Sequence, residues 1–276
     1  MPELPEVETV RRGLETALVG HRISEVQVRR ADLRWPLPRD LGRRLAGRKV
    51  LGLRRRAKYI LVRVEGGETL LLHLGMSGRL LLTAGRPNVL DAHDHVLIAT
   101  ESGIFLRFND ARRFGSLDLV ATATVDRHRL LSRLGPEPLD RRFDGAALAR
   151  ALAGKKTPIK SALLDQRVVA GIGNIYACEA LFRAGISPRR QARTVGRDKA
   201  RRLAAAIKKV LREAIAAGGS TLKDHVRPTG ELGYFQHRFQ VYDREGRPCP
   251  GCDCRGAIRR IVQSGRSTFY CAKRQR

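Results

Sequence analysis

Apolar side chains recur at helical spacing almost from the first residue. Val7, Val10, Leu14 and Leu18 are separated by three or four positions, which places them on one face of a helix. Short runs follow in which apolar residues alternate or cluster between turn signals, and they predict strands at Ile23–Val28, Ile60–Val64, Leu70–Leu74, Leu80–Leu82, Val96–Ala99 and Ile104–Phe108. Many short strands of this kind predict an antiparallel sandwich or barrel.

The pattern changes after about Leu134. Apolar residues return to helical spacing and predict helices at Ala147–Ala153, Ile175–Ala184 and Asp198–Ala217. A polar, glycine-punctuated loop runs from Gly218 to about Gly233, and the tail from Phe239 contains short strands and cysteines. The sequence therefore predicts an α+β protein of three modules: a helix with an antiparallel β-sandwich (1–130), a helical domain (131–235) and a C-terminal hairpin module (236–276).

The charge of the chain is strongly unbalanced. Its 276 residues include 54 Lys and Arg against 27 Asp and Glu, which gives a formal net charge of +27. The surplus is spread along the chain, so the folded body itself attracts a polyanion, because each neutralised phosphate releases condensed counterions. An arginine-rich proteome with solvated surface charges is the alternative, but it does not account for a two-to-one imbalance. The charge therefore favours binding to nucleic acid.

The chain carries no pattern typical of a secretory leader or a membrane span. Its first residues are acidic, and the apolar stretch from Leu70 to Leu82 is broken by His73, Gly75 and Arg79. Four of the five cysteines lie in the last thirty residues, which indicates a metal site in a reducing compartment. We expect a cytoplasmic protein, associated with the nucleoid.

Pro2 is a candidate nucleophile. Methionine is normally removed before a small residue, which would free the Pro2 secondary amine, and an α-amino group has a pKa of roughly 8. Such an amine can attack a sugar C1′ and form an iminium, while Glu3 beside it can donate a proton to the opening sugar. The alternative is an ordinary helix start, with proline and acidic residues in the first turn.

Six segments are distributed over essentially the whole chain: Met1–Leu14, His73–Gly78, His93–Val96, Asp110–Gly115, Asp165–Tyr176 and Gly265–Cys271. Together they resemble bacterial formamidopyrimidine-DNA glycosylases. The resemblance implies a DNA-repair glycosylase and lyase that acts on damaged double-stranded DNA as a monomer. It implies removal of 8-oxoguanine and formamidopyrimidines through a Pro2 Schiff base, followed by β,δ-elimination.

The resemblance also assigns roles to individual residues. Pro2 and Glu3 match the catalytic pair of the family, Lys58 matches a lysine that aids β-elimination, and Arg266 matches an arginine with a role in δ-elimination. Without the resemblance, Lys58 could equally be an exposed strand lysine and Arg266 a solvent-exposed arginine.

Six further positions are implied to contact DNA. Met76, Arg112 and Phe114 match residues that fill the space left by the extruded base. Extruding a base from the DNA helix costs a few kcal/mol. The alternative is that Met76 and Phe114 are packed in the protein core. His93, Lys156 and Asn174 match phosphate contacts, and we expect Asn174 to cap the helix that follows it.

The C-terminal cysteines depart from the family pattern, which resembles Cys-x2-Cys, sixteen residues, then Cys-x2-Cys. Position 274 is Arg, and sixteen residues separate Cys254 from Cys271, so Cys252 lies outside the usual register. We expect one zinc held by Cys249, Cys252, Cys254 and Cys271, since structural zinc sites use four ligands. A hairpin without zinc, held by apolar packing, is the alternative.

Cys178 is interpreted as a small buried residue.

Two other functions stay open. One is that of endonuclease VIII, a sister enzyme for oxidised pyrimidines, but Leu4 differs from the Met-Pro-Glu-Gly start that this branch resembles. The other is a non-catalytic DNA-binding protein of the same fold, which would be marked by loss of Pro2 or by a retained Met1.

Overall fold

The computed structural model describes residues 1–220, 228, 233–252 and 256–276. The chain forms two compact units. Unit 1 contains Met1–Ser132 and Ala217–Tyr234, and unit 2 contains Arg133–Ala216 and Phe235–Arg276. The three module boundaries expected from the sequence remain a prediction.

Unit 1 begins with helix α1, Leu4–Leu18. Glu3 is its N-cap residue and forms a capping box with Glu6, so that the two residues satisfy backbone N–H groups that a helix end leaves without partners. The apolar face expected from the periodicity is buried, because Val7, Val10 and Leu14 are at most 1% exposed.

Two four-stranded antiparallel sheets follow, with strand orders β1-β6-β7-β5 and β2-β3-β4-β8. Their inner faces and α1 share one apolar core, which confirms the predicted sandwich. The strands are β1 Ile23–Val28, β2 Val50–Arg56, β3 Tyr59–Val64, β4 Glu68–His73, β5 Arg79–Ala84, β6 Asp94–Thr100, β7 Ile104–Asn109 and β8 Ser116–Ala121.

Two strands of unit 1 and the short helix α2, Leu41–Leu45, were not expected from the sequence. Strand β2 contains Gly52 and ends in three arginines, which obscures its alternation. Strand β8 is only six residues long and contains Asp118. Strand β2 is fixed by its hairpin pairing with β3, and β8 by its pairing with the distant β4, because strand propensity depends strongly on such neighbours.

Unit 2 contains the helical part of the chain. Its helices are α3 Gly145–Leu152, α4 Ile159–Leu164, α5 Asn174–Ala184 and α6 Arg197–Ala216. The three predicted helices are confirmed within two residues at each end, whereas the six-residue α4 was not expected. Helix α5 ends at Gly185, which adopts a left-handed conformation (φ +68°) that suits a helix C-terminus.

A two-stranded antiparallel hairpin closes the chain, with strands β9, Arg259–Gln263, and β10, Arg266–Tyr270. Its two-residue turn consists of Ser264 and Gly265, which both have positive φ (50° and 71°), as a type I′ hairpin turn requires. The turn therefore places Arg266 at the exposed end of the hairpin. The α+β class with a C-terminal hairpin is confirmed.

Among the helices that the structure describes, none combines the length and the apolar character needed to cross a membrane. The longest, α6, is amphipathic: Leu203, Ile207 and Leu211 are buried, while arginines and lysines occupy the other face.

Candidate functional site

The N-terminal proline lies directly before α1. Pro2 and Glu3 are both buried, and the helix begins at Leu4, so Pro2 precedes the helix rather than opening its first turn. The backbone N–H of Glu3 donates to Glu6 Oε2 at 2.9 Å. This bond fixes the chain just after Pro2 and keeps it from fraying.

Glu6 connects the start of α1 to a distant loop of unit 1. Its Oε1 accepts hydrogen bonds from the backbone N–H of Ser220 (2.9 Å) and from the Ser220 hydroxyl (3.1 Å). Gly219, in a left-handed conformation (φ +80°), packs against Glu6, where an added Cβ would lie 3.1 Å from Cγ. Glu6 was missed in the sequence, although Glu3-x-x-Glu6 is a capping-box spacing that could have identified it.

Lys58 lies in the turn between β2 and β3, one residue before β3. It is 6% exposed, so the alternative of an exposed strand lysine does not hold. The preceding Ala57 has a positive φ (53°), and such a backbone conformation in a non-glycine residue is typical of functional turns.

An ion-pair cluster attaches this hairpin to α1. Glu8 on α1 binds Arg55 on β2 (3.2 Å) and also Arg11 and Arg12 on its own helix (3.0 and 2.9 Å). Burial favours the neutral acid, but hydrogen bonds from Arg11 and Arg12 and the charges of Arg11 and Arg55 hold the pKa of Glu8 below its usual value. The charged form of Glu8 therefore holds the helix that begins beside Pro2 to the strand that leads to Lys58.

His73, at the end of β4, was missed in the sequence as a site residue. Its ring lies 4.8 Å from that of Tyr59, and its Nδ1 accepts the backbone N–H of Gly75 at 3.0 Å. Burial, with the positive charges of Lys58 and Arg34, lowers the pKa of His73 to about 4. The ring is therefore neutral near pH 7, with Nδ1 as the acceptor.

Met76, Arg112 and Phe114 lie on two adjacent loops of unit 1. Met76 is 39% exposed and Phe114 is 45% exposed, so the alternative of core packing is wrong for both. The Arg112 guanidinium lies over the Phe114 ring, 4.9 Å from its centroid. His93 is exposed directly before β6, where its backbone N–H donates to Asp91 Oδ1 at 2.7 Å.

Asn174 differs from expectation. Gly173 is the N-cap residue and Asn174 is the first residue of α5, so the predicted cap is wrong. The Asn174 side chain points instead to the hairpin, where Nδ2 donates to the Ser267 carbonyl oxygen (2.9 Å) and lies 3.5 Å from the Tyr242 hydroxyl. The side chain is used in a tertiary contact that a local capping rule cannot detect.

Lys160 makes a second bond to the same carbonyl. This fully buried lysine of α4 donates to Ser267 O at 3.2 Å and to Thr268 Oγ1 at 2.7 Å. Arg266 directly precedes Ser267 and is exposed. Asn174 and Lys160 therefore fix the backbone from which Arg266 projects, and neither interaction has a local sequence signal.

Glu179 organises the chain that enters the hairpin module. Its fully buried carboxylate accepts the backbone N–H groups of Gln240, Val241 and Tyr242 at 2.9 to 3.1 Å. Burial raises the pKa of Glu179, although these three hydrogen bonds oppose the shift. Lys156, by contrast, is an exposed residue in the loop before α4.

Three of the four expected metal ligands are brought together. The sulfur atoms of Cys249, Cys252 and Cys271 lie within 4.8 Å of one another. Burial, together with the neighbouring thiols Cys252 and Cys271, raises the pKa of Cys249 to about 12. Such a thiol cluster fits a divalent cation that would bind the thiolate forms. Cys252 does not correspond to a cysteine of the family pattern, yet it belongs to the cluster. Cys254 lies outside the described residues.

Cys178 is buried at 1% exposure in an apolar cluster and is not part of the thiol group. Most of the loop expected between Gly218 and Gly233 lies outside the described residues.

Comparison with known proteins finds two family models that match successive parts of the chain. Residues 1–117 match the formamidopyrimidine-DNA glycosylase N-terminal domain, and residues 134–226 match the formamidopyrimidine-DNA glycosylase H2TH domain. The chain belongs to the formamidopyrimidine-DNA glycosylase family. The resemblance inferred from its motifs is confirmed, and with it the enzyme class, a DNA-repair glycosylase.

Relatives cover the full length. Formamidopyrimidine-DNA glycosylases of Cereibacter sphaeroides (strain ATCC 17025) and Rhodospirillum centenum are each 58% identical, and the match covers 100% of both chains in each case. The crystal structure of the MutM (Fpg) protein from Thermus thermophilus is similar at a TM-score of 0.88 and 43% identity, covering 99% of this chain and 98% of that chain.

One similar structure is a complex with DNA. Wild-type Lactococcus lactis Fpg, bound to DNA that contains N7-benzyl-Fapy-dG, matches at a TM-score of 0.89 and 34% identity, covering 99% of each chain. The formamidopyrimidine-DNA glycosylase family thus accounts for the whole fold of this chain, including its hairpin module.

Proposed function

We propose that this enzyme removes oxidised purines, 8-oxoguanine and formamidopyrimidines, from duplex DNA and then cuts the strand at the abasic site. The observation that carries this proposal is the full-length similarity to formamidopyrimidine-DNA glycosylases. The Lactococcus lactis protein, crystallised with a Fapy-dG derivative in DNA, supports the substrate class.

The base is removed by attack of the Pro2 amine on the sugar C1′. The bond between C1′ and the base breaks, the base takes up a proton, and the sugar ring opens as O4′ accepts a proton from Glu3. Pro2 is then joined to the opened sugar as an iminium. The buried position of Pro2 and the fixed start of α1 support this role.

Strand cleavage follows from the iminium. Loss of a proton from C2′ expels the 3′ phosphate, and a second elimination expels the 5′ phosphate; water finally releases the Pro2 amine. Lys58 supports the first elimination, since it is a buried lysine in a turn adjoining the neutral His73. Arg266 supports the second, and its guanidinium suits a bidentate grip on phosphate.

Phosphate contacts supply most of the affinity, as the net charge of +27 suggests. We assign such contacts to His93, Lys156 and Asn174. Met76, Arg112 and Phe114 occupy the space that the extruded base leaves: the thioether and the ring replace its stacking, and Arg112 binds the orphaned base. The exposure of Met76 and Phe114 supports this assignment.

Cys249, Cys252 and Cys271 would hold one zinc ion, with Cys254 as the fourth thiolate. A closed four-thiolate site has no open position for catalysis, so the metal would stabilise the hairpin that carries Arg266. We also propose that the chain works in the cytoplasm, at the nucleoid, as a monomer of 30.7 kDa; gel filtration tests the monomer.

Borohydride trapping tests the central step. Duplex DNA with 8-oxoguanine should yield a covalent adduct that maps to Pro2, and mass spectrometry should find Met1 removed. Pro2→Ala leaves a primary amine at the N-terminus, which can still attack the sugar. Acetylation of the Pro2 nitrogen therefore blocks the reaction more completely. Pro5→Ala, in the same segment, is the matched control for Pro2→Ala. An adduct at Lys58 with an intact Pro2 amine would contradict the assignment, and preferential cutting at thymine glycol would favour an endonuclease VIII-like enzyme.

A further inference from the structure

Two loops of unit 1 carry the three side chains that we assign to the space of the extruded base. The first loop, residues 74–78, connects β4 to β5 and exposes Met76. The second, residues 110–115, connects β7 to β8 and exposes Arg112 and Phe114. Neither loop belongs to a regular element, so their relative position depends on contacts between them.

The side chain of Asp110 joins the two loops. Asp110 is fully buried. Its Oδ1 accepts the hydroxyl of Ser77 from the first loop at 2.5 Å, and its Oδ2 accepts the backbone N–H of Gly115 from the second loop at 2.7 Å. The Ser77 hydroxyl oxygen in turn accepts the backbone N–H of Arg112 at 3.2 Å. One carboxylate therefore fixes the residue after Met76, the backbone of Arg112 and the residue after Phe114.

The two loop backbones also lie in direct contact. Gly75 has a left-handed conformation (φ +62°), and a Cβ added there would lie 2.3 Å from the carbonyl carbon of Phe114. A Cβ at Gly115 would lie 2.9 Å from Asp110 Oδ2 and 2.7 Å from the Phe108 ring. The residue on each side of the contact is thus restricted to glycine, and the loops approach closely enough for Asp110 to bridge them.

The backbone of Asp110 is held as firmly as its side chain. Its carbonyl oxygen is bonded to the His95 ring at 2.9 Å and accepts the N–H of Arg113 at 3.2 Å. Arg113 has a positive φ (56°), a conformation that costs about 1 kcal/mol or more in a non-glycine residue and persists where surrounding contacts determine it. Arg112 and Phe114 are therefore presented by a backbone whose shape depends on the Asp110 bonds.

We propose that Asp110 is the positioning residue that holds Met76, Arg112 and Phe114 in the arrangement needed to occupy the space of an extruded base. This inference rests on the proposed function of those three side chains. Asp110 itself is fully buried, so it acts through the backbone bonds and through Ser77.

A prediction about individual reaction steps follows. Excision of a damaged base requires the base to leave the helix, and the three side chains compensate for lost stacking only at that stage. A DNA duplex that already contains an abasic site has no base to extrude. Loosening the Asp110 bridge should therefore slow base excision more than it slows cutting of a preformed abasic site.

Methyl NMR tests the geometry independently of any activity. The chain contains only two methionines, Met1 and Met76, so the ¹³C-methyl signal of Met76 is readily assigned. We expect Asp110→Asn and Ser77→Ala to shift this signal and to increase the mobility of the methyl group, while Asp118→Asn leaves it unchanged. Asp118 is a matched control, since its carboxylate also accepts two hydrogen bonds in unit 1, from Leu119 N–H and the His128 ring.

Single-turnover kinetics tests the consequence for the reaction. Asp110→Asn should slow excision of 8-oxoguanine by about tenfold or more, because small displacements in a positioned group have effects of this size, and should slow nicking of an abasic site by less than about threefold. Ser77→Ala, which removes one bond, covers the case in which Asp110→Asn does not fold.

The outcomes separate this inference from the proposed function. An unchanged Met76 signal, or equal slowing of excision and nicking in both variants, overturns the positioning role. If the wild-type enzyme fails to excise 8-oxoguanine, the proposed substrate is wrong, yet the Met76 signal still decides whether Asp110 holds the loops together.

Discussion

The Asn174 side chain donates a hydrogen bond to the backbone carbonyl oxygen of Ser267, at 2.9 Å. The bond joins the first residue of α5 to the residue that follows Arg266. A residue that we assign to a phosphate contact therefore also fixes the strand that presents Arg266, to which we assign the second elimination.

Asn174→Ala should consequently change the products as well as the affinity. Loss of one hydrogen bond to phosphate, of about 1 kcal/mol, predicts roughly fivefold weaker binding to any duplex. Loss of the bond to Ser267 makes Arg266 more mobile, which should slow the second elimination and let the β-elimination product accumulate. Denaturing gels resolve the β and β,δ products on a preformed abasic site. Lys156→Ala changes an exposed residue of the loop before α4, and it should weaken binding without changing the product ratio. An unchanged ratio in Asn174→Ala would mean that Arg266 is positioned by other contacts.

His73 should make the fold sensitive to mild acid. The pKa of His73 is lowered from 6.5 to about 4, so between these values the unfolded chain binds a proton that the folded chain does not. The free energy of unfolding is therefore unaffected by His73 above about pH 6.5 and falls as the pH is lowered towards 4. One pKa unit corresponds to about 1.36 kcal/mol, so the total loss is up to about 3 kcal/mol.

Urea unfolding at pH 7, 5.5 and 4 measures this dependence. His73→Gln keeps an acceptor for the Gly75 N–H but cannot titrate, so the loss of stability in this interval should be smaller in the variant. His21→Gln, at a partly exposed position before β1, serves as the control and should behave like the wild type. Equal slopes for His73→Gln and the wild type would exclude His73 as the cause.

Glu8 should contribute stability in its charged form. Its ion pairs with Arg11, Arg12 and Arg55 lower its pKa, so the contribution is present above the ordinary pKa of 4.5 and is lost as the pH falls through the lower folded value. Glu8→Gln should lower the free energy of unfolding at pH 7 by about 1–2 kcal/mol, with a smaller difference at pH 3. Glu25→Gln, which breaks an exposed pair with Arg86, should change stability by less than about 0.5 kcal/mol; similar losses in both variants would contradict a special role for Glu8.

Elements with a clear apolar period were predicted well from the sequence. Helices α1, α5 and α6 and strands β4 and β6 bury the residues that the spacing selected, whereas Val28 of β1 is 39% exposed. Strand β2 was missed because arginines mask its alternation, and one of them, Arg55, pairs with Glu8 of the distant helix α1.

The residues that support the site were harder to predict for a physical reason. Lys160 bonds to a carbonyl 107 positions away, and Glu179 accepts N–H groups 61 to 63 positions away. The Ser267 carbonyl and the three N–H groups are backbone atoms, which carry no residue-type signal. Asn174 was misread as a cap because a capping rule considers only its own helix, whereas its amide bonds to Ser267.

Arg274 occupies the position where the family pattern has a cysteine, and it makes contacts that a cysteine could not. Its Nε donates to the Phe182 carbonyl oxygen at 3.3 Å, and its guanidinium lies 4.9 Å from the centroid of the Phe182 ring and donates to the Gly251 carbonyl oxygen. Its backbone N–H points to Cys271 Sγ at 3.5 Å. Arg274 thus ties the loop between Cys249 and Cys252 to helix α5 without supplying a metal ligand.

The thiol set should therefore hold zinc without a ligand at position 274. Protein purified without added metal should contain about one zinc per chain, and Cys252→Ser, Cys254→Ser and Cys271→Ser should each release it faster to a chelating dye, because closed structural sites use four ligands. Arg274→Ala should keep the zinc stoichiometry but loosen the loop, which a lower melting temperature would report.

Arg274→Cys should leave the rate of zinc release near that of the wild type if the site already has four thiolates. Much slower release from Arg274→Cys, together with wild-type release from Cys254→Ser, would instead mean that the natural site has only the three thiolates of Cys249, Cys252 and Cys271.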